Sequence, residues 1–221
     1  MFVRSTVMDL PPRKVAEGIA HVRDQALPVV LGHAGCLGFS MLVERRTGHV
    51  VTSSAWGTRA AMDASRDALA QTRAQAAALL LATTPVVEQW EVADLLRARD
   101  IEPGFAHRST RLEFDPGDAE QVVEIYRSVT APVLAALDGF SCASLLIDLD
   151  ARSGLAQVTF VDRRTMQDSR RAAAEIRRST AAASDARTVD VLECDVVVAE
   201  SRLPRSVVAL PAEELSRPGG R

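Results

Sequence analysis

Hydrophobic and polar positions along the chain follow two periods, and these predict the order of its elements. Residues 107–114 read HRSTRLEF, where polar and apolar side chains alternate as in a β-strand. Apolar positions from Val122 to Leu137 then recur at helical spacing. A hairpin follows over CASLLIDL and LAQVTFV, a helix capped by Asp162 over 163–184, and a last strand over TVDVLECDVVVAE. The predicted order is β-α-β-β-α-β.

The first half of the chain predicts the same order. A strand over 2–9 is followed by a helix over 12–33, the hairpin CLGFSMLVERR–TG–HVVTSSAW, a helix over 58–81 and the strand VVEQWEVADLL. Pro28 and Pro132 stand inside the first helix of each half. Because proline lacks a backbone N–H, each helix is predicted to bend or restart there.

The two halves are related in sequence as well as in pattern. RAAMDASR at 59–66 returns as RRTMQDSR at 163–170, a separation of 163 − 59 = 104 residues. With this shift, 23 of the 89 positions from 4 to 92 are identical to their counterparts without a gap. The pattern indicates an internal duplication, and its period is far too long for a solenoid, so each copy is predicted to be a small domain.

The duplication sets the predicted domain boundaries: a first unit over 1–96, a linker over 97–106, a second unit over 107–201 and a tail over 202–221. The tail holds three prolines and is expected to be a partly mobile arm. Strands such as SLLIDL and LGFSMLV are apolar on both faces, so each sheet needs cover on its second face. The sequence therefore predicts a pseudo-dimer within one chain.

Composition narrows the classes of partner. The chain of 221 residues has 47% hydrophobic and 25% charged residues and a net charge of −3, which favours neither nucleic acid nor an anionic membrane as partner. No apolar run approaches the length of a membrane span. Three cysteines (Cys36, Cys142 and Cys194) lack metal-ligand spacing, and reduced thiols in a cytoplasmic protein are expected. A single lysine, 25 arginines and no asparagine indicate a GC-rich, bacterial coding sequence.

The strand that ends in Trp56 and runs into an alanine-rich helix, VVTSSAWGTRAAMDASRDALAQTRAQ, resembles the dimeric α+β barrel superfamily. It is most similar to antibiotic-biosynthesis-monooxygenase-like (ABM) domains, and the second copy keeps the pattern with Phe160. The resemblance implies the fold class α+β, with two tandem ferredoxin-like βαββαβ units forming an intrachain dimeric α+β barrel. It also implies a small-molecule cleft between the sheet and the helices of each unit.

Some members of the family oxygenate aromatic polyketides without a cofactor, and others bind and degrade haem. The resemblance implies asparagine, tryptophan and tyrosine at the first kind of site, and a histidine on the second helix as iron ligand at the other. This chain has no asparagine, and neither 58–81 nor 163–184 contains histidine or tyrosine. We therefore expect no cofactor, no metal and no haem turnover, and no catalytic residue is assigned.

Nine residues are candidate ligand contacts: Trp56, Arg59, Met62, Ser65 and Trp90 in the first unit, and Phe160, Arg163, Met166 and Ser169 in the second. The aromatic and methionine side chains suit a packed core better than a ligand wall, and both readings stay open. The serines leave room for a ligand or for close helix packing. The arginines, in the first helical turn, suit an anionic ligand or plain solvation.

Charged residues also recur on the first and last strands of each unit. They are predicted to form one cross-strand pair per unit, Arg4 with Glu91 and Arg108 with Asp195.

Two functions remain open at this point. The first is an ABM-like protein that binds a small, aromatic or polyketide-like molecule and oxygenates it without a cofactor. The second is a non-catalytic ligand-binding or interaction module whose sites have decayed. They differ in whether the cleft beside Trp56 or Phe160 is open or filled. The first unit, with Trp56, Gly57 and Trp90, is the expected ligand site. A monomeric pseudo-dimer or a homodimer is expected.

Overall fold

The computed structural model describes residues 1–148, 150 and 152–203. Eight strands and eight α-helices follow one another along these residues in the predicted order, with each predicted helix divided into two. In chain order they are β1 Phe2–Asp9, α1 Val15–His21, α2 Leu27–Gly32, β2 Cys36–Glu44, β3 His49–Trp56, α3 Arg59–Ala64, α4 Arg66–Leu80, β4 Val86–Arg97, β5 Ala106–Glu113, α5 Ala119–Ile125, α6 Ala131–Ala135, β6 Phe140–Asp148, β7 Ser153–Phe160, α7 Arg163–Asp168, α8 Arg170–Ser184 and β8 Arg187–Ser201.

Hydrogen bonds link the eight strands in the closed order β1-β3-β2-β8-β5-β7-β6-β4. Each hairpin is antiparallel, with Phe2 opposite Trp56 in β1–β3 and Phe140 opposite Phe160 in β6–β7. The predicted fold class, two fused ferredoxin-like units in an α+β barrel, is confirmed.

Three strands, β4, β5 and β8, are divided between the compact units of the chain. The first unit comprises Met1–Val92, Ile101–His107 and Glu193–Arg202, and the second comprises Ala93–Asp100 and Arg108–Leu192 with Leu203. Within the first unit, the end of β8 pairs with β2, so that this sheet is completed by residues far along the chain.

The first helix of each unit is interrupted just before its proline. A π-helical segment, Val22–Ala26, separates α1 from α2, and the N–H of Leu27 reaches back five residues to the carbonyl of Val22. Pro28 has no N–H to offer, so the wider turn replaces the missing α-helical bond. The second copy has the same π-helical segment over Tyr126–Thr130. The bend predicted at both prolines therefore takes the form of a π turn.

The second helix of each unit is also broken, where the sequence predicts one continuous helix. Ser65 separates α3 from α4, and Ser169 separates α7 from α8. The helix starts are capped as the sequence suggests: the Asp162 carboxylate accepts the Thr165 N–H at 2.7 Å. The break has a physical cause in a buried arginine, described below.

One predicted ion pair is wrong. Arg4 lies opposite Gln89, Glu91 lies opposite Phe2, and the Arg4 side chain makes no ion pair among the described residues. Asp195 lies opposite Val43 and forms an ion pair with Arg45, and its predicted pair with Arg108 stays a prediction. The predicted arm at 202–221 falls, from residue 204 on, outside the described residues. No helix in the described part of the chain is long and apolar enough to cross a membrane.

Candidate ligand-binding site

A buried arginine on β1 organises the interior of the first unit. Arg4 is only 2% exposed. Its Nη1 donates to Ser65 Oγ at 2.9 Å, and its Nη2 donates to the carbonyl oxygen of Met62. Ser65 Oγ itself donates to that carbonyl at 2.7 Å. Arg4 and two groups of a helix turn that is distant in sequence thus form one closed network.

The second unit repeats this network. Arg108 Nη1 donates to Ser169 Oγ at 2.9 Å, Nη2 donates to the Met166 carbonyl at 2.6 Å, and Ser169 Oγ donates to the same carbonyl at 2.7 Å. The serine shared by RAAMDASR and RRTMQDSR therefore has a structural reason, because its side chain is the partner of the arginine on the first strand of each copy.

The network also explains why the second helix is broken. In an uninterrupted α-helix the Met62 carbonyl would accept the N–H four residues later. Here it accepts donors from Arg4 and Ser65, and the helix is interrupted at Ser65, which ends α3 and begins α4. The sequence cannot predict this break, because its cause lies 61 residues away on β1.

An aromatic ring lies beside each buried guanidinium. Arg4 Cζ is 6.0 Å from the Trp56 ring centroid, and Arg108 Cζ is 5.8 Å from that of Phe160. The indole Nε1 of Trp56 donates to Ser54 Oγ at 2.9 Å. Both rings are fully buried. The space beside Trp56 and Phe160 is therefore filled by arginine and other side chains. The faces of the two rings also stabilise the positive charge of the arginines.

The nine candidate residues divide by exposure. Arg59 and Arg163 are exposed. The other seven are buried: Trp56, Met62, Ser65, Trp90, Phe160, Met166 and Ser169. None of the nine is among the residues that line the two cavities described next. Their role as ligand contacts stays a prediction.

Each unit holds a cavity that its buried arginine helps to line. The cavity of the first unit measures ≈ 70 Å³ and that of the second ≈ 50 Å³. A buried water needs about 10–15 Å³ of such space, so each cavity accommodates ordered water or one polar ligand group as it stands. A whole aromatic ligand requires side chains to move.

The lining of the first cavity is apolar except for a few polar groups. Met8, Val30, Phe39 and Leu69 are among its apolar residues. The polar residues are Arg4, Thr6, Thr52, Ser54, Thr72 and Arg73. Among the described residues, the linings of both cavities contain arginine but no aspartate or glutamate.

Arg73, on α4, is the second cation of the first cavity and was missed by the sequence analysis. It is half-buried, and burial is the main cause that lowers its pKa, followed by the charge of Arg4. The pKa of Arg4 is lowered in turn by burial and by Arg66, and Asp63 partly offsets this. The signal available in the sequence was its counterpart Arg177, which lines the second cavity.

The two cavities are built from equivalent positions. Of the 17 residues that line the first, all but Leu10, Phe39 and Val50 have their counterpart, 104 residues later, in the lining of the second, which leaves 17 − 3 = 14 equivalent pairs. The duplication therefore covers the cavity as well as the fold.

Comparison with known proteins places the chain in a family. A model described as "Antibiotic biosynthesis monooxygenase" (ABM) matches residues 1–77. The Mycobacterium tuberculosis H37Rv protein Rv2558 is 36% identical over 208 residues, which cover 94% of this chain and 88% of that protein. Rv2557 of the same strain is 32% identical over 207 residues, covering 94% and 92%. The chain belongs to the ABM family. The relatives have no described activity, so membership by itself assigns none.

Solved structures agree with the ABM fold. A monooxygenase candidate from Fusobacterium nucleatum superimposes with a TM-score of 0.71 at 12% identity, covering 95% of this chain and 98% of that one. An anthrone oxidase-like protein gives 0.66 at 14% identity, with 95% and 97% covered. Identities this low establish the fold alone.

The described residues of this ABM chain form no metal centre and no activated thiol. No group of three or more histidine, cysteine, aspartate or glutamate side chains among the described residues is arranged to hold a metal ion. The three cysteines are buried and form no disulfide, and burial raises the pKa of the Cys142 thiol to about 12, so this thiol is protonated at neutral pH. His107 is buried on β5, and burial lowers its pKa to about 4.

Proposed function

We propose that this ABM protein binds a small molecule in the cavity of each unit, between the sheet and the helices. The observation that carries the proposal is the equivalence of the two linings at 14 positions. Ligand sites are typically apolar hollows with a few convergent polar groups, and both cavities have that character. A packed core has no need of a hollow at the same place in two copies, since voids lose packing energy.

Binding is better supported than catalysis. Oxygenation without a cofactor asks for a group that takes a proton from the substrate. Among the described residues that line the first cavity, none is an aspartate, glutamate, histidine or tyrosine. The second cavity has Tyr126, whose pKa burial raises well above its ordinary value, so the phenol is protonated at neutral pH. Monooxygenation of an aromatic substrate remains the second candidate, favoured by family membership.

The test is a ligand titration combined with variants that fill one cavity at a time. Thr52 and Ala156 are equivalent, half-buried strand residues that line the first and the second cavity. We expect a hydroxynaphthoquinone or a related aromatic to bind with a stoichiometry of two per chain by calorimetry. Thr52→Phe and Ala156→Phe should each reduce the stoichiometry to one.

Two outcomes would change the assignment. A stoichiometry that neither variant alters, in proteins that melt cooperatively, would place the ligand outside these cavities. Consumption of oxygen by the wild-type protein with a naphthol or anthrone substrate, absent from a double variant carrying both phenylalanines, would favour the monooxygenase.

A further inference from the structure

The duplication allows the lining of one cavity to be compared with that of the other. Three of the 14 equivalent pairs are identical: Arg4 with Arg108, Thr6 with Thr110, and Arg73 with Arg177. The other pairs differ in size or polarity. Leu69 is replaced by Ala173, for example, and Leu80 by Ser184. The two copies have thus kept the positive charge of the lining while its shape has changed.

Arg73 is held by no partner in the described structure. It makes neither a hydrogen bond nor an ion pair with any described residue, although it is only half-exposed and lines the cavity. Some exposed arginines of the unit pair with a carboxylate, as Arg66 does with Asp63 at 2.7 Å. An arginine that faces a cavity without a counter-ion has its guanidinium donors available to a ligand.

Arg4 provides a second, fixed charge at the same cavity. A guanidinium has five N–H donors, and Arg4 directs two of its nitrogens to Ser65 and Met62. These bonds hold its plane in place without neutralising it, because both acceptors are uncharged. The cavity therefore combines one anchored cation with one that is free to reorient.

We propose that the cavity of the first unit binds the carboxylate of a small organic acid, with Arg4 and Arg73 holding the charged group and the apolar lining covering a compact apolar body. The inference rests on the proposed function, because it concerns the same cavity and names the class of its ligand. A carboxylate suits a guanidinium fork, which binds it through two parallel hydrogen bonds. Met8, Val30 and Leu69 provide contacts for the hydrocarbon.

The electrostatics of the empty cavity agree with this assignment. Like charges in a partly desolvated site repel each other more strongly than in water. Burial lowers the pKa of Arg73, and the charge of Arg4 lowers it further. A bound anion would offset this repulsion between the two arginines, so the site favours a ligand that carries a negative charge.

The experiment compares naphthyl probes that carry different polar groups, on variants that change one arginine. The probes are 2-naphthoate, its neutral analogue 2-naphthalenemethanol, and 2-naphthyl phosphate, measured by calorimetry at pH 7. The variants are Arg73→Met, Arg73→Lys and the control Arg46→Met, which removes an exposed arginine from the β2–β3 turn. All are made, beside the unsubstituted reference, in the Ala156→Phe background, which fills the second cavity so that the first is measured. Each protein is full length and is first checked for a cooperative melt.

We expect the Ala156→Phe reference protein to bind 2-naphthoate about 10–100-fold more tightly than the alcohol, the range that hydrogen bonds to a charged group provide. Arg73→Met should lose most of this preference, Arg73→Lys should lose part of it, and Arg46→Met should keep it.

Equal binding of acid and alcohol would overturn the inference and leave the proposed function standing, whereas no saturable binding of any probe would defeat both. Stronger binding of the phosphate would overturn the carboxylate assignment. An equal loss in Arg46→Met and Arg73→Met would show that net charge, and not the cavity, is responsible.

Discussion

Arg4 shows how a buried charge is accommodated without a carboxylate. Its guanidinium is almost completely shielded from solvent, yet its partners among the described residues are a hydroxyl, a carbonyl and an aromatic face. Removing one partner of a buried charged group costs more than an average hydrogen bond, because the group is left partly unsatisfied.

Ser65→Ala is expected to destabilise the protein by about 1–3 kcal/mol, because it removes an acceptor of Arg4 and a donor to Met62. Urea denaturation measures the change. Ser40→Ala is the control, since this half-buried strand serine has no side-chain hydrogen bond among the described residues. Equal effects of the two substitutions would mean that the network contributes no more than an ordinary serine.

His107 gives the protein a predicted sensitivity to acid. Its pKa falls from an ordinary 6.5 to about 4 in the folded protein, because burial disfavours the imidazolium. Between these values the unfolded chain binds the proton and the folded chain does not, so stability is complete above pH 6.5 and declines as the pH falls towards 4. By pH 4.5 the loss amounts to about 2 kcal/mol.

His107→Val, which installs the residue of the equivalent position Val3, should remove that part of the pH dependence. The measurement is the difference in unfolding free energy between pH 7 and pH 4.5, taken for both proteins so that the carboxylates cancel. An identical pH dependence in the variant would show that His107 does not carry it.

At the scale of elements, the predictable features are those with local causes. Strand alternation, helical stripes, the cap at Asp162 and the bends at Pro28 and Pro132 all follow from neighbouring residues. The break at Ser65 and the cavity role of Arg73 follow from contacts across the unit. The sequence did not indicate Arg73 as a site residue, because the alanine-rich helix α4 has no marked polar face.

The turn before β6 depends on a glycine. Gly139 has φ +71°, and a Cβ added there would lie 2.7 Å from the Thr165 side chain. Gly139→Ala is therefore expected to cost about 2 kcal/mol or more, from the left-handed backbone and the overlap together. Gly117→Ala is the matched control, because nothing lies within 4 Å of its added Cβ. Thermal melts of both variants test the difference, and similar melting temperatures would contradict the expectation.

At the scale of the whole molecule, the duplication allowed the fold to be predicted. It did not predict that the ends of long strands belong to the other unit. The sequence places each unit within a continuous half of the chain. In the structure the first unit takes residues 193–202 from the far end, where Leu42 pairs with Val196. The local pattern of TVDVLECDVVVAE does not indicate which part of this long strand belongs to which unit.

A fragment of residues 1–107 is expected to self-associate, because the edge of β2 loses its partner strand and unpaired edges invite pairing with other chains. Joining residues 190–203 to this fragment through a flexible linker of about 12 residues should restore a cooperative melt. Size-exclusion chromatography and thermal denaturation distinguish the two. A monomeric, cooperatively folded fragment without the added strand would contradict the prediction.

The late strand also has a consequence for synthesis on the ribosome. Residues 101–192 must be translated before the segment that completes the β2 edge leaves the ribosome. At about 5–20 residues per second, these roughly 90 residues take about 5–18 s. Throughout that interval the nascent first unit carries an open edge beside neighbouring nascent chains. Slow translation of the second half would therefore lengthen the period in which this edge can pair with other chains.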